Sequence, residues 1–500
     1  MSNHFPIDAR EDFRSILPFL PLTVRSSSAV SWPVPVVQIL ESLSRGPSHS
    51  HVDSGELLAV SINDLRKFLG LSPLHASTPP GFSLFFDDLM NKGEAEKWFG
   101  EVIPRLADLV LRLPSLLKSH YQNAAVFNGM ETGLRLLEAQ RPGAVILSKE
   151  LIAALLACAL FCLFPTAKRG EKNLQHINFD KLFGILYHCN EAAHENKIKC
   201  LVHYFERVCK NMPSGNVSFE RKVLPLRRNS SSDIVYPEAD FWSKSNNSLC
   251  RFEVHTSGLI EDQPYEALEV DFADQYIGGL VLKLGSLQEE IRFAINPELI
   301  AAMLFLPVMA DNESIEIVGP ERFSNYTGYD SSFRFAGPHE DTKGADMIGR
   351  RRTRVIAIDA LDGPGNTQYM PEGLLREANK AFCGFLDGHN EGEVGVATGN
   401  WGCGVFGGDP QVKSVIQWLA ASQARRPFVL YYTFGLEKLQ RLEEVVQWVE
   451  SRRRSVGEVW RKLVVYSGLL ERGKTTVGFF EWLIPSSRDG KRAGRGGTGI

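Results

Sequence analysis

The sequence predicts a helical region followed by a layered α/β domain. In the first region apolar residues recur at helical spacing, for example Val102, Leu106 and Leu109. In the second region short strand-like runs alternate with helical ones, and such interleaving favours a sheet flanked by helices. We predict a partly flexible segment at 1–55, a helical domain at 56–212, an α/β domain at 213–485 and a disordered, basic, glycine-rich tail at 486–500.

The helical region contains one strongly apolar run, at residues 151–164. A helix needs about 20 apolar residues to span a membrane, and this run is shorter, with 14 residues. Because it is apolar on every side, it predicts a buried central helix. Leu201, Tyr204 and Val208 continue the helical period further along the chain.

The α/β region begins with an alternation of Val217, Phe219 and Val223, which predicts a strand. Asn296 followed by proline is a favourable helix start. Further strands are predicted at 314–318, 354–359, 394–398 and 428–434, and further helices at 412–419 and 439–449.

Composition excludes several functional classes. With 44% hydrophobic and 23% charged residues the chain resembles a globular protein, and its net charge of −4 argues against general attraction to nucleic acid or anionic lipid. Its eight cysteines form no C-x-x-C pair, so we expect no zinc site and a reducing intracellular compartment. The polar N-terminus carries no signal-peptide pattern, and we expect no membrane segment.

The stretch at 271–300 combines backbone freedom with paired acids. Gly278 and Gly279 lack Cβ, so the backbone can adopt positive φ and a ligand can approach closely. Gln288, Glu289 and Glu290 follow at the start of a helical pattern. Helix-start amides favour anions, and neighbouring carboxylates favour different protonation states, as acid–base catalysis requires. The stretch predicts a diphosphate bound beside a protonated acid.

A local structural role explains part of the same pattern. Ser286 and Glu289 fit a capping box, in which Glu289 would reach back to the amide of the cap residue. This alternative accounts for Glu289 without a substrate. It leaves Glu290 unexplained, because consecutive helical residues point about 100° apart.

A second candidate loop, at 399–408, follows a predicted strand. Five of its ten residues are glycine, which leaves backbone amides free to surround an anion. A structural turn is the alternative, but Asn400 and Trp401 within the loop favour function. Tyr329, in another loop, could pack on a ribose, or equally cover the core. From the residues alone, Phe434 fits a core aromatic, and Ile260 with Glu261 fits a turn.

These motifs resemble the signature of the poly(ADP-ribose) glycohydrolase family, a glycine run followed by Q-E-E, and in particular its plant branch. The resemblance implies a macrodomain-like catalytic domain, with a mixed sheet flanked by helices, preceded by an all-α accessory domain. It also implies hydrolysis of the ribose–ribose O-glycosidic bonds of poly(ADP-ribose), which releases ADP-ribose. No metal or organic cofactor is implied.

The resemblance assigns roles to individual positions. It implies that Glu290 is the general acid and base, that Glu289 holds the ribose hydroxyls and that Asp271 belongs to the catalytic site. Tyr329 would stack on the ligand, Ile260 with Glu261 would read the adenine, and Phe434 would lie beside it. The remaining implied substrate contacts are Asp274, Gly278, Gly279, Gln288, the diphosphate loop of Asn400, Trp401, Gly402, Cys403, Gly404 and Val405, and Phe406 near the distal ribose.

Two residues depart from the family pattern. Leu280 stands where a third glycine is typical, which would cost about 1–3 kcal/mol if that position needs positive φ, or little if the side chain points into the core between Ile277 and Val281. Asp274 stands where asparagine is typical, and an ionised aspartate cannot donate a hydrogen bond. These departures leave open an alternative function, a protein that binds the polymer and cuts it weakly or not at all.

The expected partners are poly(ADP-ribose) and the proteins that carry it. We expect a monomer, with no sequence-specific binding to nucleic acid. The expected location is the nucleus, the cytoplasm or both, with a role in the response to DNA damage.

Overall fold

The computed structural model describes residues 10–24, 30–124, 126–127, 130–189, 191–226, 235–386 and 394–484. The predicted tail at 486–500 lies outside these residues. The chain divides into two compact units, each assembled from separate stretches of sequence. The first unit comprises Met1–Arg221, Ala273–Met309 and Ile315–Arg354, and the second comprises Lys222–Phe272, Ala310–Ser314 and Val355–Ile500. The boundaries predicted after residues 55, 212 and 485 stay predictions.

The chain up to residue 212 is mainly helical. Its α-helices are α1 Glu11–Ile16, α2 Val34–Ser44, α3 Pro47–Ser50, α4 Gly55–Phe68, α5 Thr78–Ser83, α6 Lys92–Lys97, α7 Ile103–Leu111, α8 Leu113–Asn123, α9 Lys149–Leu160, α10 Asp180–His188 and α11 Ala192–Lys210. Its strands are β1 Thr23–Val24, β2 Val30–Ser31, β3 Val126–Phe127, β4 Met130–Glu131 and β5 Gly143–Ser148. The apolar run at 151–164 forms most of α9 and is buried along its length, as predicted.

Strands and helices then alternate to the end of the described chain. The strands are β6 Asn216–Val223, β7 Arg251–His255, β8 Ala267–Ala273, β9 Glu313–Val318, β10 Ser324–Thr327, β11 Arg334–Pro338, β12 Arg354–Asp359, β13 Gly395–Gly399 and β14 Phe428–Tyr432. The α-helices are α12 Ala239–Ser243, α13 Gln288–Ile295, α14 Ala302–Phe305, α15 Pro371–Phe385, α16 Pro410–Gln423, α17 Leu442–Ser451, α18 Val456–Glu471 and α19 Phe479–Leu483. The helix predicted at Asn296 begins as the 3₁₀ turn Pro297–Ala301.

Eight strands form a mixed sheet in the order β5-β6-β9-β12-β8-β13-β14-β7. The pair β5–β6 is antiparallel, whereas β13 pairs in parallel with both β8 and β14, and β14 with β7. Because β13, β14 and β7 are parallel, the loops that follow β13 and β14 leave the sheet at one edge. The sheet confirms the predicted fold class. The prediction missed three of the eight strands, β5, β7 and β8. The short apolar sequence of β5 runs directly into α9.

Two apolar clusters support the regions that carry the candidate site. In the second unit a large cluster includes Trp242, Trp401 and Trp418. In the first unit a smaller cluster joins α11 to α13, with Cys200 and Ile291 among its members. None of the helices described is both long enough and apolar enough to span a membrane.

Candidate active site

The turn at residues 274–280, which we call the glycine turn, directly follows β8 in sequence and belongs to the first unit. Gly278 and Gly279 both have positive φ, +89° and +50°. A Cβ added to Gly279 would lie 2.5 Å from Oε2 of Glu289 and 2.6 Å from Oε1 of Glu290. Glycine is therefore required at 279 both for its backbone conformation and for the space that two carboxyl groups occupy.

The Glu289 carboxylate stabilises the glycine turn by accepting hydrogen bonds from two of its backbone amides. Its Oε1 accepts a hydrogen bond from the amide of Gly278 at 2.6 Å, and its Oε2 accepts one from the amide of Asp274 at 2.8 Å. The side chain is buried. The capping role predicted for Glu289 is wrong, because α13 starts one residue later than the Ser286 pattern implies and its cap residue is Leu287.

Glu290 takes the capping role instead. Its Oε2 accepts a hydrogen bond from the amide of Leu287 at 2.9 Å, and its Oε1 accepts one from the amide of Leu280 at 2.9 Å. The residue is 6% exposed. The Glu290 carboxyl group thus holds both ends of residues 280–287, which we call the connector, at the start of α13. The irregular turn brings both acids to Gly279 although they are adjacent on a helix.

The two departures from the family pattern are accommodated locally. Oδ1 of Asp274 accepts a hydrogen bond from the amide of Tyr276 at 2.8 Å, which the oxygen of an asparagine could accept equally well. Leu280 does not have positive φ, so the strain considered for it does not arise. Its side chain is 45% exposed, whereas Ile277 and Val281 are buried. It therefore does not point into the core.

Tyr329 lies close to the start of α13. Its ring is 52% exposed, and the amide of the next residue, Asp330, donates a hydrogen bond to the carbonyl of Ser286. Partial burial raises the pKa of the Tyr329 hydroxyl, with the negative charge of Glu290 as a smaller cause. The structure thus places Tyr329 close enough to Glu290 for the two side chains to interact electrostatically.

In the second unit, the loop at residues 400–408 follows β13, and we call it the amide loop. The Asn400 side chain donates to the carbonyl of Thr433 at 3.0 Å and accepts from the Tyr431 hydroxyl at 3.3 Å, so it joins the ends of β13 and β14. Within the described residues, three consecutive amides, those of Gly404, Val405 and Phe406, donate to no protein acceptor. Such a run of N–H groups is suited to an anion.

Trp401 anchors the amide loop to the core. Its side chain is fully buried, its indole N–H donates to the carbonyl of Ile358 at 2.9 Å, and the ammonium of Lys413 lies 3.8 Å from its ring centre. Lys413 is also paired with Glu377. A ligand contact expected of Trp401 can therefore come only from its backbone. Lys413 and Glu377 were not predicted, since each looks like an ordinary polar residue of a helix.

Two glycines and a cysteine complete the shape of the amide loop. Gly402 and Gly407 have positive φ, and a Cβ on Gly402 would lie 2.5 Å from that of Ala360. Val405 is 76% exposed. Cys403 is partly buried, and burial raises the pKa of its thiol. Its thiol is therefore not suited to act as a nucleophile.

The residues expected around the adenine differ in exposure. Phe434 is 49% exposed and has a φ of +51°, a conformation that is uncommon for a large side chain and often marks a functional position. Ile260 is buried in a small cluster with Ala397 and Leu430, so its side chain is a core residue. Glu261 is partly exposed, and Asp271 on β8 is buried.

Comparisons with known proteins identify the family. A protein-family model described as "Poly (ADP-ribose) glycohydrolase (PARG), helical domain" matches residues 90–221. A second family model, described as "Poly (ADP-ribose) glycohydrolase (PARG), Macro domain fold", matches residues 239–441. Poly(ADP-ribose) glycohydrolase 1 of Arabidopsis thaliana is 50% identical over 548 aligned positions, which cover 96% of this chain and 98% of that protein. The chain belongs to the poly(ADP-ribose) glycohydrolase family.

Other relatives indicate the branch. Probable poly(ADP-ribose) glycohydrolase 2 of Arabidopsis thaliana is 52% identical, covering 96% of this chain and 99% of that protein. Poly(ADP-ribose) glycohydrolase 2 of Caenorhabditis elegans is 33% identical, over 53% of this chain and 55% of the relative. The chain is therefore a plant-type member of the glycohydrolase family, as the sequence motifs predicted.

Two polar side chains of the helical region contact the family motif and were not foreseen. The Gln175 amide donates to carbonyl groups of the glycine turn, and the Lys197 ammonium donates to carbonyl groups of the connector. A signal existed for Lys197, since it lies on the apolar face of a helical pattern, between Ala193 and Cys200. Gln175 lies in a loop and carries no such signal.

Proposed function

We propose that this chain is an active poly(ADP-ribose) glycohydrolase. It hydrolyses the ribose–ribose O-glycosidic bonds of poly(ADP-ribose) and releases ADP-ribose. The observation that carries the proposal is the buried carboxyl group of Glu290, held by two amides at a glycine turn in which position 279 admits no side chain. Similarity to glycohydrolases along 96% of the chain supports the same activity.

In the mechanism that we propose, Glu290 acts first as general acid. It gives its proton to the ribose oxygen that leaves, while positive charge develops on the other ribose in an oxocarbenium-like transition state. The resulting carboxylate then takes a proton from the water that attacks this ribose, which restores the acid. Gln288 and Glu289 orient the ribose whose bond breaks, and Glu289 also keeps the turn in shape.

The second unit by itself contains groups suited to bind an ADP moiety. The free amides of Gly404, Val405 and Phe406 are candidates to bind the diphosphate. The exposed ring of Phe434 is a candidate to stack on adenine. Because the Ile260 side chain is buried, the groups that would contact the edge of the adenine are the backbone of Ile260 and the side chain of Glu261.

A binding protein without activity is not favoured. This alternative depended on Leu280 and Asp274. Leu280 adopts an ordinary backbone conformation with its side chain at the surface, and Asp274 keeps the hydrogen bond that shapes its turn. Neither residue displaces Glu290.

We further propose that the enzyme acts as a monomer on protein-linked polymer in the nucleus or the cytoplasm. All eight cysteines are free, which supports a reducing compartment. Light scattering of the purified chain and a fluorescent fusion in living cells would test both points. A stable dimer, or a fusion confined to the secretory pathway, would contradict them.

The central experiment measures ADP-ribose released from automodified polymer by the purified full chain. We expect Glu290→Gln to lower turnover at least about a hundredfold, the usual contribution of a general acid, while calorimetry still detects ADP-ribose binding. Glu298→Gln is the matched control, because Glu298 is also a buried acid near α13 but pairs with Lys149. Near-native turnover of the Glu290 variant would exclude the proposed mechanism.

A further inference from the structure

The glycine turn and the connector depend on the helical region for part of their hydrogen bonding. Residues 274–287 form neither helix nor strand, so no ladder satisfies their carbonyl groups. Glu289 and Glu290 satisfy N–H groups of this segment. Six of its carbonyl groups accept hydrogen bonds from one loop and one helix of the helical region. Two of these six, those of Tyr276 and Leu280, also accept from a turn amide.

Gln175 binds the carbonyl side of the glycine turn. Its side-chain amide lies 2.8 Å from the carbonyl oxygen of Tyr276, 3.2 Å from that of Ile277 and 3.0 Å from that of Gly279. Two N–H groups thus serve three acceptors. Gln175 is itself anchored, because the buried guanidinium of Arg169 donates to its backbone carbonyl at 2.7 Å.

Lys197 binds the connector. Its ammonium lies 3.3 Å from the carbonyl oxygen of Leu280, 2.5 Å from that of Lys283 and 2.6 Å from that of Gly285. An ammonium has three donors, and all three are used. Lys197 is 1% exposed and lies on the face of α11 that packs on α13.

Burying an ammonium among apolar residues is unfavourable unless it is fully hydrogen-bonded. Burial lowers the pKa of Lys197 to about 7, although the negative charges of Glu290 and Glu191 act in the other direction. A methionine would fill the same space but would leave the carbonyl groups of the connector without this donor, so the lysine serves the connector rather than α11 itself.

We propose that Gln175 and Lys197 are positioning residues for catalysis, which hold the glycine turn and the connector so that the Glu290 carboxyl stays at the bond to be cut. The peptide group between Gly279 and Leu280 is the centre of this arrangement. Gln175 binds its carbonyl, and Glu290 accepts from its N–H. Lys197 binds the next carbonyl along the chain. The helical region thereby sets the position of the acid.

The inference rests on the proposed function and is tested with the full chain on poly(ADP-ribose). We expect Lys197→Met and Gln175→Leu each to lower kcat by about 10- to 100-fold, because a displacement of about 1 Å in a reacting group has effects of that size. KM for the polymer and the affinity for ADP-ribose should stay within about threefold, since these variants leave the amide loop unchanged.

Lys149→Met is the matched control. Lys149 is equally buried in the first unit, but it pairs with Glu298 and Glu321 and does not contact the glycine turn or the connector. Its variant should lose thermal stability and keep kcat. If Lys197→Met fails to fold, Gln175→Leu decides, because Gln175 is only partly buried.

Three outcomes would overturn the inference: native kcat in both variants, a rise in KM at constant kcat, or a loss of kcat no larger than that of the Lys149 control. An inactive native protein is a different result, since it would overturn the proposed function itself. A native protein that is active, with kcat lost only in the Gln175 and Lys197 variants, supports both.

Discussion

Individual residues around Glu290 differ sharply in what they tolerate. Position 279 admits no side chain, because a Cβ there would meet both acids. Position 280, one residue later, carries a leucine without backbone strain, and nearly half of its side chain faces solvent. The third glycine of the family pattern is therefore not needed for the shape of this turn.

This difference predicts a small effect of Leu280→Gly. An exposed, unstrained side chain changes free energies by about 0.5 kcal/mol or less, or roughly twofold in a rate. We expect turnover of the variant to stay within about threefold of the native value, as measured by ADP-ribose release. An increase of tenfold or more would show that the leucine obstructs the substrate.

At the scale of a single element, helix α11 buries titratable side chains that its apolar pattern does not reveal. Helix α11 packs on α13 through Cys200 and its neighbours, yet the same helix buries His194 and Lys197. His194 uses Nε2 to contact the carbonyl of Leu182 at 2.8 Å. Burial, and to a lesser extent the charge of Lys197, lowers the pKa of His194 to about 4.

The low pKa of His194 predicts a loss of stability in acid. Between about pH 6.5 and pH 4 the unfolded chain takes up a proton that the folded chain does not, so the free energy of unfolding falls as the pH falls through this range. From pH 7 to pH 5 the loss attributable to this histidine is about 2 kcal/mol. His194→Gln keeps an N–H donor without the titration.

Urea unfolding of the native chain and of His194→Gln at pH 7 and pH 5 measures the difference. The native chain should lose more stability than the variant, because other titrating groups contribute equally to both. Parallel losses in the two proteins would show that His194 is protonated in the folded state at pH 5.

At the scale of the whole molecule, the compact units do not follow the order of the sequence. The glycine turn, the connector and α13 belong to the same unit as the helices before residue 212, and the amide loop belongs to the other unit. The helical region is therefore part of the unit that contains Glu290, the proposed general acid.

This organisation predicts that residues 213–500 alone are not an enzyme. The truncated chain lacks Gln175 and Lys197, and it exposes the face of α13 that packs on α11. We expect no measurable turnover and loss of cooperative thermal unfolding, compared with the full chain under the same conditions. Native-like turnover by the truncated chain would refute both this prediction and the role of the helical region.

The site could be predicted from sequence where a residue type is itself informative. Paired glycines, adjacent acids and a glycine-rich loop after a strand pointed to Gly279, Glu290 and the amide loop. Capping was assigned to the wrong glutamate, because the helix start depends on contacts of the turn as a whole. Trp401 and Ile260 looked like ligand residues by resemblance, but their side chains are buried.

The sequence by itself determined the fold class and the family and singled out Glu290 as the proposed acid, because hydrophobic periodicity and short motifs are local properties of a chain. Only the tertiary structure decided which groups hold that acid in place. Gln175 lies 101 to 104 positions away in sequence from the carbonyl groups that it binds. Lys197 lies 83 to 88 positions away from those that it binds. The physical reason is that irregular backbone must satisfy its hydrogen bonds in three dimensions, with whatever polar group the packing of distant helices brings within reach.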